Sequence, residues 1–305
     1  MPLPADNIAH TDIARNGWIS RMPPFLRPYL LLARLDRPIG TWLLLLPGWW
    51  AIALAARGQD NKGHALWLML LFGVGAVIMR AAGCVINDLW DRRLDQKVGR
   101  TQQRPLAAGT VTPFQALVFL ALLMAAGLLI LCQLPRVTIL LGILAVPLIV
   151  IYPLAKRFTW WPQLVLGLIF NFGALMGWAA MTGRIALPAI LLYVAGIFWT
   201  LGYDTIYAHQ DRDDDRAAGI KSTALKFGVH SKRWVSGFYT AAWIFLIFAF
   251  CTAHVSGLSF GLLILPAAQL IYQIKSWNPD NAPGCLTTFR SNRDFGLLVL
   301  LAALI

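Results

Sequence analysis

The sequence predicts an all-α membrane protein, a multi-pass bundle of about nine transmembrane helices. Of its 305 residues, 58% are hydrophobic and 13% are charged, and the mean hydropathy is +0.63. Soluble domains carry roughly 25% charged residues. Apolar stretches that approach the roughly 20 residues needed to cross a bilayer recur along the chain. Strand-like alternation is absent from the sequence, and backbone inside lipid must satisfy its own hydrogen bonds, which leaves helices as the spanning element.

Nine apolar segments supply the predicted helices, and polar or charged stretches separate them. The first follows the sequence RLDRPIG, the second ends in RAAGCVI, and the sixth ends just before AHQDRDDD. The ninth has only 11 residues before the sequence stops, so we expect the final helix to be incomplete. In order, the segments are 39–56, 65–86, 114–134, 137–154, 164–181, 187–207, 235–253, 258–274 and 295–305.

Residues 1–37 are predicted to form a cytoplasmic tail. Its first part, MPLPADNIAHTDIARNGWIS, lacks the apolar core and the cleavage site of a secretory signal. It also contains Asp6 and Asp12, whereas organellar transit peptides are poor in acidic residues. The sequence therefore favours a bacterial inner membrane, with the mitochondrial inner membrane as the alternative.

The basic residues predict the topology. Twenty-one Lys and Arg residues lie in the N-terminal tail and the even-numbered loops, against four in the odd-numbered loops. Because cytoplasmic loops carry an excess of Lys and Arg, the tail and the even-numbered loops are predicted to face the cytoplasm. Topology thus accounts for the net charge of +12, which argues against nucleic-acid binding.

Acidic residues are concentrated in two places on the predicted cytoplasmic side. All 14 are aspartate, and eight lie in the stretches NDLWDRRLD and YDTIYAHQDRDDD. Asn87, Asp91 and Asp95 follow one another at four-residue intervals, so a continuing helix stacks them on one face over about 12 Å. Asp211 and Asp215 repeat this step at an offset of 120 residues.

This repetition predicts a single membrane domain, residues 1–305, with two quasi-equivalent halves, roughly 38–160 and 161–305. Each half would supply one wall of a common site. Asp204 and Tyr207 precede the second cluster on roughly the same helix face. The alternative is a solvated, charged interfacial loop, which two matched clusters on one side of the membrane disfavour.

The two clusters predict a magnesium site. Like charges four residues apart destabilise a helix and raise one another's pKa unless a cation is present. Carboxylate and Asn carbonyl oxygens suit magnesium, which usually shares its coordination shell with water and substrate phosphates. Zinc is not predicted, because the four cysteines are scattered with no CxxC pair; they predict no disulfide framework either.

Arg80 lies inside the predicted span 65–86, where a charge is costly and faces the bundle interior. It precedes Asn87 by seven residues and Asp91 by eleven, which places all three on one helix face. Two roles are open for it, and they do not exclude each other. Arg80 could be a buried ion-pair partner for the acids, and it could also provide a fixed positive charge for an anionic substrate.

The two acidic motifs resemble those of the UbiA-type intramembrane aromatic prenyltransferases. NDLWDRRLD matches the NDxxDxxxD pattern of that family, and YDTIYAHQDRDDD is similar to its second, DxxxD-containing motif. The flanking sequences MRAAGCVINDLWDRRLDQKVGRTQQRPLAAG, YPLAKRFTWWPQLVLG and YDTIYAHQDRDDDRAAGIKSTALKFG resemble the 4-hydroxybenzoate polyprenyltransferase branch of ubiquinone biosynthesis. The resemblance covers about residues 34–293, and the chain departs from it at its C-terminal end, where members usually complete a ninth helix.

The resemblance implies a magnesium-dependent transfer of a polyprenyl group from polyprenyl diphosphate to the ring carbon ortho to the hydroxyl of 4-hydroxybenzoate, with release of pyrophosphate. No obligate protein partner is implied. The residues assigned to the metal are Asn87, Asp91, Asp95, Asp211 and Asp215. Those assigned to the substrates, with Arg80 added from its position, are Arg34, Arg37, Asp88, Arg92, Lys156, Arg157 and Lys221; Arg34 is matched to the aromatic carboxylate.

The reaction would need a dry cavity with aromatic faces around the allylic cation. Asp204 or Asp211 is expected to take the phenolic proton, and His209 is expected to hydrogen-bond a carboxylate instead. The aromatic residues predicted to line the cavity are Trp199, Tyr203 and Tyr207, with Tyr152, Phe170 and Trp178 as further candidates; ordinary packing is the alternative for each ring.

Three other functions remain open. Another UbiA-type enzyme shares the metal motifs and differs in its aromatic acceptor. A secondary transporter also combines intramembrane acids with an internal repeat, but its site lies near the bilayer midplane, whereas these acids lie at helix ends. A phosphatidyl-transfer enzyme has Gly and Ala-Arg between paired acids, and NDLWDRRLD lacks them.

Overall fold

The computed structural model describes residues 17–57, 61–97, 99 and 101–305. This part of the chain is made of α-helices and short 3-10 helices and contains no strand. The 3-10 helices are Trp18–Arg21, Tyr152–Leu154, His209–Asp211 and Gly228–His230. The α-helices are α1 (Arg27–Leu32), α2 (Ile39–Ala55), α3 (Lys62–Asp95), α4 (Pro113–Leu131), α5 (Arg136–Ile151), α6 (Ala155–Phe158), α7 (Pro162–Phe170), α8 (Phe172–Thr182), α9 (Leu187–Ala208), α10 (Arg212–Ala217), α11 (Thr223–Phe227), α12 (Ser231–Thr252), α13 (Gly257–Leu262), α14 (Ile264–Ser276), α15 (Ala282–Arg290) and α16 (Asn292–Leu304).

Long apolar helices dominate the structure. α2, with 17 residues, occupies the first predicted segment, and α16, with 13 residues, occupies the last. The all-α, multi-pass membrane architecture predicted from the sequence is therefore confirmed. Within the described ranges, seven stretches are long and apolar enough to cross a membrane: Lys62–Asp95, Pro113–Leu131, Arg136–Phe158, Pro162–Thr182, Leu187–Ala217, Thr223–Thr252 and Gly257–Ser276.

Two predicted segments, 164–181 and 258–274, are each divided into two helices rather than one. Asn171 forms the first division and is fully buried. Its Nδ2 donates to the Gly167 carbonyl oxygen at 2.8 Å and to Thr200 Oγ1 at 2.9 Å. The Asn171 N–H also donates to the Gly167 carbonyl oxygen, at 3.4 Å. The side-chain amide adds a shorter bond to this oxygen and has acceptors for its own N–H groups, which a membrane interior requires. Helix α15 also departs from prediction, since its residues were expected to form a loop.

The described chain forms two compact units. The first contains the described part of Met1–Pro38 together with Val77–Leu128. The second contains the described part of Ile39–Ala76 together with Leu129–Ile305. The single domain with two quasi-equivalent halves remains a prediction.

In the first unit, a small apolar core joins α1 to the end of α3 and the start of α4. The ring of Tyr29 packs edge-on against that of Phe119, with centroids 5.4 Å apart. The stretch between α3 and α4 also contributes to this core and so packs back onto the helix end that carries the first acidic motif. The buried members are Leu32, Val85, Leu106, Val111 and Ala116.

In the second unit, α2 and α8 cross at glycines. A Cβ on Gly177 would lie 2.5 Å from the Gly48 carbonyl oxygen, and one on Gly173 would lie 3.2 Å from the Gly48 nitrogen. Small residues four positions apart let membrane helices approach this closely. α9 packs extensively on α12, where Gly202 faces the Tyr239 ring. This packing fixes α9, which leads into the second acidic motif.

Candidate functional site

The first acidic motif, residues 87–95, forms the C-terminal turns of α3. The helix continues through Asp95 as predicted, so the four-residue spacing aligns Asn87, Asp91 and Asp95 along one face. Asp88, Asp91 and Asp95 are 0%, 1% and 5% exposed. Because a buried carboxylate is costly unless a cation neutralises it, this helix end requires nearby positive charge.

Two arginines of the same unit supply part of that charge. Arg34 Nη2 donates to Asp88 Oδ1 at 2.7 Å and to Oδ2 at 2.9 Å. Arg104 Nη1 donates to both carboxylate oxygens of Asp95 at 3.1 Å and lies 3.5 Å from Asp88 Oδ1. Arg34 is itself buried, and its φ of +57° is a left-handed conformation that costs roughly 1–2 kcal/mol. Asp88 therefore lies between two guanidinium groups.

Residues 101–112 fold back onto the motif. Thr101 Oγ1 donates to the Asp95 carbonyl oxygen at 3.0 Å, and Arg92 Nε donates to the Leu106 carbonyl oxygen at 3.3 Å. Arg104 belongs to this stretch and is not among the residues predicted from the sequence. The signal that could have found it is its place among the basic residues of RTQQRP, directly after the first acidic cluster.

Arg37 and Arg80 are the remaining predicted cations of the first unit. Arg37 Nε lies 3.1 Å from Asp36 Oδ2. Arg80 is partly buried on α3, and its seven-residue separation from Asn87 puts both on one side of the helix. A role for either arginine at a substrate stays a prediction.

The second acidic motif is not one continuous α-helix. A 3-10 turn, His209–Asp211, separates α9 from α10. Its 3.0 residues per turn, against 3.6 in an α-helix, shift the register. Asp204 and Tyr207 share a face of α9 as expected, whereas the 3-10 turn shifts the register of Asp211 relative to them. Asp211 instead immediately precedes α10, and Asp215 lies one turn further along that short helix.

Residues between α14 and α15 pack over this turn. Arg212 Nη1 donates to Asp280 Oδ1 at 3.0 Å, and the Trp277 ring meets the His209 ring edge-on with centroids 5.2 Å apart. His209 is 4% exposed, and within the described chain neither ring nitrogen hydrogen-bonds a carboxylate. The prediction that His209 hydrogen-bonds a carboxylate is therefore wrong. The Trp277 ring packs against it instead.

Backbone hydrogen bonds bring the predicted cations of the second unit close to the second motif. The N–H of Ile220 donates to the Asp215 carbonyl oxygen at 2.9 Å. The N–H of Lys221 donates to the Lys156 carbonyl oxygen at 3.0 Å. Arg157 follows Lys156 in α6. The structure thus gathers these three basic residues beside the segment that carries Asp215.

Three buried polar residues that were not predicted hold this segment in place. Thr205 Oγ1 and Thr223 Oγ1 are 2.7 Å apart and share a hydrogen bond, and the N–H of Thr223 donates to Gln163 Oε1 at 3.1 Å. These bonds tie the stretch after α10 to α9 and α7. Isolated polar residues in an apolar sequence carry no signal that would pair them.

The predicted aromatic residues pack tightly in the second unit. Trp199 and Tyr203 are each 1% exposed, with ring centroids 5.0 Å apart, and Trp199 Nε1 donates to Asn292 Oδ1 at 2.8 Å. The Tyr207 ring lies 4.6 Å from that of Phe289. These contacts are those of tightly packed core residues. That the rings also stabilise an allylic cation stays a prediction. The further candidates, Tyr152, Phe170 and Trp178, belong to the same unit.

The donors fit a hard divalent cation that is shared with a phosphorylated ligand. Both motifs offer carboxylate oxygens, and the first adds the amide oxygen of Asn87. Among the described residues, no three His, Cys, Asp or Glu side chains form a group that could hold a metal ion. Magnesium is usually bound by one or two carboxylates, with water and substrate phosphates completing its shell, and this is the pattern the chain offers. That the two motifs meet across one cavity stays a prediction.

Known proteins resemble this chain over most of its length. Residues 44–298 match the model of the UbiA prenyltransferase family. The chain is 50% identical over 275 residues to "4-hydroxybenzoate polyprenyltransferase, mitochondrial" of Aedes aegypti, which covers 90% of this chain and 62% of that protein. It is 49% identical to the protein of the same name from Drosophila melanogaster, over 90% of this chain and 70% of that protein. The chain thus spans slightly less than two thirds of the mosquito relative.

Solved structures share the fold. A UbiA homologue from Aeropyrum pernix K1 superposes with a TM-score of 0.71 at 23% identity, covering 86% of this chain and 96% of that one. A UbiA homologue from Archaeoglobus fulgidus, solved with GPP and Mg²⁺, gives a TM-score of 0.66 at 17% identity, covering 90% of this chain and 99% of that one. At these identities the likeness concerns the fold.

Proposed function

The chain belongs to the UbiA prenyltransferase family, and on that premise we propose that it transfers a polyprenyl group from polyprenyl diphosphate to 4-hydroxybenzoate. The new bond forms at the ring carbon ortho to the hydroxyl, pyrophosphate leaves, and the product serves ubiquinone biosynthesis. The observation that carries the proposal is the 50% identity, over 90% of this chain, to a protein named 4-hydroxybenzoate polyprenyltransferase.

In this proposal the acidic motifs hold magnesium. When bound, the ion neutralises the negative charge that develops on the departing pyrophosphate, an electrostatic effect that is often the largest in such reactions. The Archaeoglobus homologue solved with Mg²⁺ and GPP supports this assignment. The residues that would hold the ion are Asn87, Asp91, Asp95, Asp211 and Asp215.

The basic residues would bind the diphosphate and orient the aromatic acid. Arg34 already holds Asp88 through two hydrogen bonds, so we assign it a positioning role beside its proposed contact with the aromatic carboxylate. The gathering of Lys156 and Lys221 next to the second motif supports their role at the diphosphate. The other proposed substrate contacts are Arg37, Arg80, Arg92 and Arg157.

After the ring attacks the allylic cation, a carboxylate must accept the phenolic proton. Asp204 lies near the end of α9 and Asp211 in the 3-10 turn that follows it, and both are partly buried. We propose one of these two as the base. His209 is not proposed, because its ring is enclosed against Trp277.

We further propose that the chain resides in a bacterial inner membrane with its N-terminus and active site on the cytoplasmic side. The excess of Lys and Arg in the tail and even-numbered loops supports this topology. The mitochondrial inner membrane is the alternative, and the word "mitochondrial" in the names of the relatives supports it.

The test is incubation of membranes with labelled 4-hydroxybenzoate, a polyprenyl diphosphate and magnesium, followed by lipid extraction of the product. Asp91→Ala and Asp211→Ala are expected to reduce transfer by at least about 10²–10³-fold, the loss typical when one electrostatic stabiliser is removed. Asp213→Ala is the matched control, since that side chain is 82% exposed and is not proposed to bind metal. Full activity of either site variant at normal expression would refute the metal assignment.

Two further measurements separate the alternative functions. Chelation with EDTA should stop transfer, and added magnesium should restore it. Transfer that persists in EDTA would show that the carboxylates do not act by binding magnesium. A panel of aromatic acceptors then identifies the branch, because another UbiA-type enzyme would prenylate a different ring. Substrate flux into proteoliposomes without a prenylated product would support a transporter.

A further inference from the structure

Helix α12 carries an exposed groove that belongs to none of the sites described above. Its volume is about 290 Å³, and Arg233, Trp234, Gly237 and Phe238 line it. Trp234 is 47% exposed, whereas Phe238 is 7% exposed and forms the floor. A groove with one cationic wall and an aromatic floor suits an amphipathic ligand.

The aromatic floor is rigid. The rings of Phe227 and Trp234 stack at 4.7 Å with an interplanar angle of 11°. Phe238 lies 5.9 Å from Trp234 and 6.4 Å from Trp161, so four rings form one cluster. Such a cluster offers a preformed apolar surface, which an acyl chain can cover without ordering new side chains.

The segment that carries the groove is basic and contains no acidic residue. Lys226 Nζ lies 4.6 Å from the centroid of the Trp161 ring, and Lys232 and Arg233 are exposed on the first turn of α12. Residues 216–279 contain no Asp or Glu. Within the described structure Arg233, which lines the groove, forms no ion pair, so its charge is available to an anion there.

The groove also lies where a lipid headgroup would be. It opens on the early turns of α12, and the apolar run 235–253 begins directly after Arg233 and Trp234. The stretch Thr223–Thr252 is long and apolar enough to cross a membrane, and because its apolar run begins only at Val235, Arg233 and Trp234 are expected near one membrane–water interface. Basic and tryptophan side chains concentrate at that level.

We propose that this groove binds an anionic phospholipid. Its phosphate lies beside Arg233, and one acyl chain runs over Trp234 and Phe238. Gly237 provides the space for the chain, because a Cβ there would meet no atom within 4 Å. A lipid with net negative charge is favoured over a zwitterionic one because the charged residue that lines the groove, Arg233, is a cation, and the segment 216–279 around it in sequence has no acidic residue. The proposal stands independently of the transfer reaction.

Native mass spectrometry of the purified, delipidated protein tests the proposal, with phosphatidylglycerol and phosphatidylcholine of matched chains as probes. The wild type is expected to bind phosphatidylglycerol preferentially. Gly237→Leu fills the groove and should weaken that binding at least tenfold. Gly261→Leu is the matched control, since Gly261 is also an exposed helical glycine with open space at its Cβ. Arg233→Gln should reduce the preference for the anionic lipid about fivefold, as expected for the loss of one interfacial charge.

Several outcomes would overturn the proposal. Equal binding of both lipids would show that the protein does not recognise the lipid's charge. Unchanged binding in Gly237→Leu would show that the lipid does not bind in the groove. A change of oligomeric state in Gly237→Leu, measured by light scattering, would show that a second copy of the chain occupies this face. If Gly237→Leu does not fold, Arg233→Gln decides the question, because that exposed substitution disturbs no internal contact.

Discussion

Arg34→Gln is expected to destabilise the protein through the carboxylate it leaves behind. Asp88 is 0% exposed, and Arg34 donates to both of its oxygens at 2.7 and 2.9 Å. Arg104, at 3.5 Å, is the weaker partner that would remain. Removing one partner of a buried ion pair costs about 3–5 kcal/mol, because the other charge stays buried without its counter-ion. With Arg104 nearby, we expect the lower end, about 3 kcal/mol.

A double-mutant cycle separates the pair from its surroundings. Asp88→Asn removes the charge that needs compensation, so Arg34→Gln/Asp88→Asn should be more stable than Arg34→Gln alone. Stability is measured as the free energy of unfolding by denaturant in detergent micelles. Arg293→Gln is the control, because Arg293 and Asp294 form a pair at 2.8 Å with both side chains about half exposed, and such surface pairs contribute about 0–1 kcal/mol.

Two results would refute this reasoning. A loss of under about 1 kcal/mol in Arg34→Gln, as in an exposed pair, would show that Asp88 does not depend on Arg34. A double variant less stable than the single would show that Arg34 supports the fold by other contacts. A double variant that regains stability but transfers less than Asp88→Asn alone would instead support the proposed contact of Arg34 with substrate.

Two other predictions concern packing and thiol reactivity. Gly177→Val should destabilise the crossing of α2 and α8 by about 1–3 kcal/mol or more, because its Cβ would lie 2.5 Å from the Gly48 carbonyl oxygen; an unchanged thermal midpoint in detergent would contradict that close approach. Burial raises the pKa of the Cys285 thiol, so little thiolate forms near neutral pH and alkylation should become faster only as the pH rises. Exposed Cys132 should react first with maleimide when the other two cysteines are serine; faster labelling of Cys285 by mass spectrometry would contradict its burial.

The sequence predicted where the chain forms helices, because apolar length is nearly sufficient to determine a membrane span. It did not predict where those helices break. Asn171 stands in an unbroken apolar run, and its amide bonds both the Gly167 carbonyl oxygen of the preceding helix and Thr200 of another helix. The position of the break depends on packing between helices, so the hydropathy of one segment does not predict it.

The candidate site likewise has features that the sequence predicted and features that it did not. The alignment of Asn87, Asp91 and Asp95 depends only on their spacing along one helix, and α3 has this alignment. The pairing of Asp88 with Arg34 joins residues 54 positions apart, which one sequence does not reveal. For His209 the sequence was misleading. Its acidic neighbours in sequence suggested a carboxylate partner, whereas in the fold its ring packs against Trp277.

The two acidic motifs place different demands on the fold, and this affects how substitutions in them are interpreted. The acids of the first motif are buried, and Arg34 and Arg104 neutralise Asp88 and Asp95, so a change there alters folding energy and chemistry together. In the second motif Asp213 is 82% exposed, so its removal should leave folding unchanged. Loss of transfer in a first-motif variant therefore indicates chemistry only if its unfolding free energy remains close to that of the wild type. Equal loss of stability and transfer, proportional across several first-motif variants, would indicate that those acids act by holding the helix end in place.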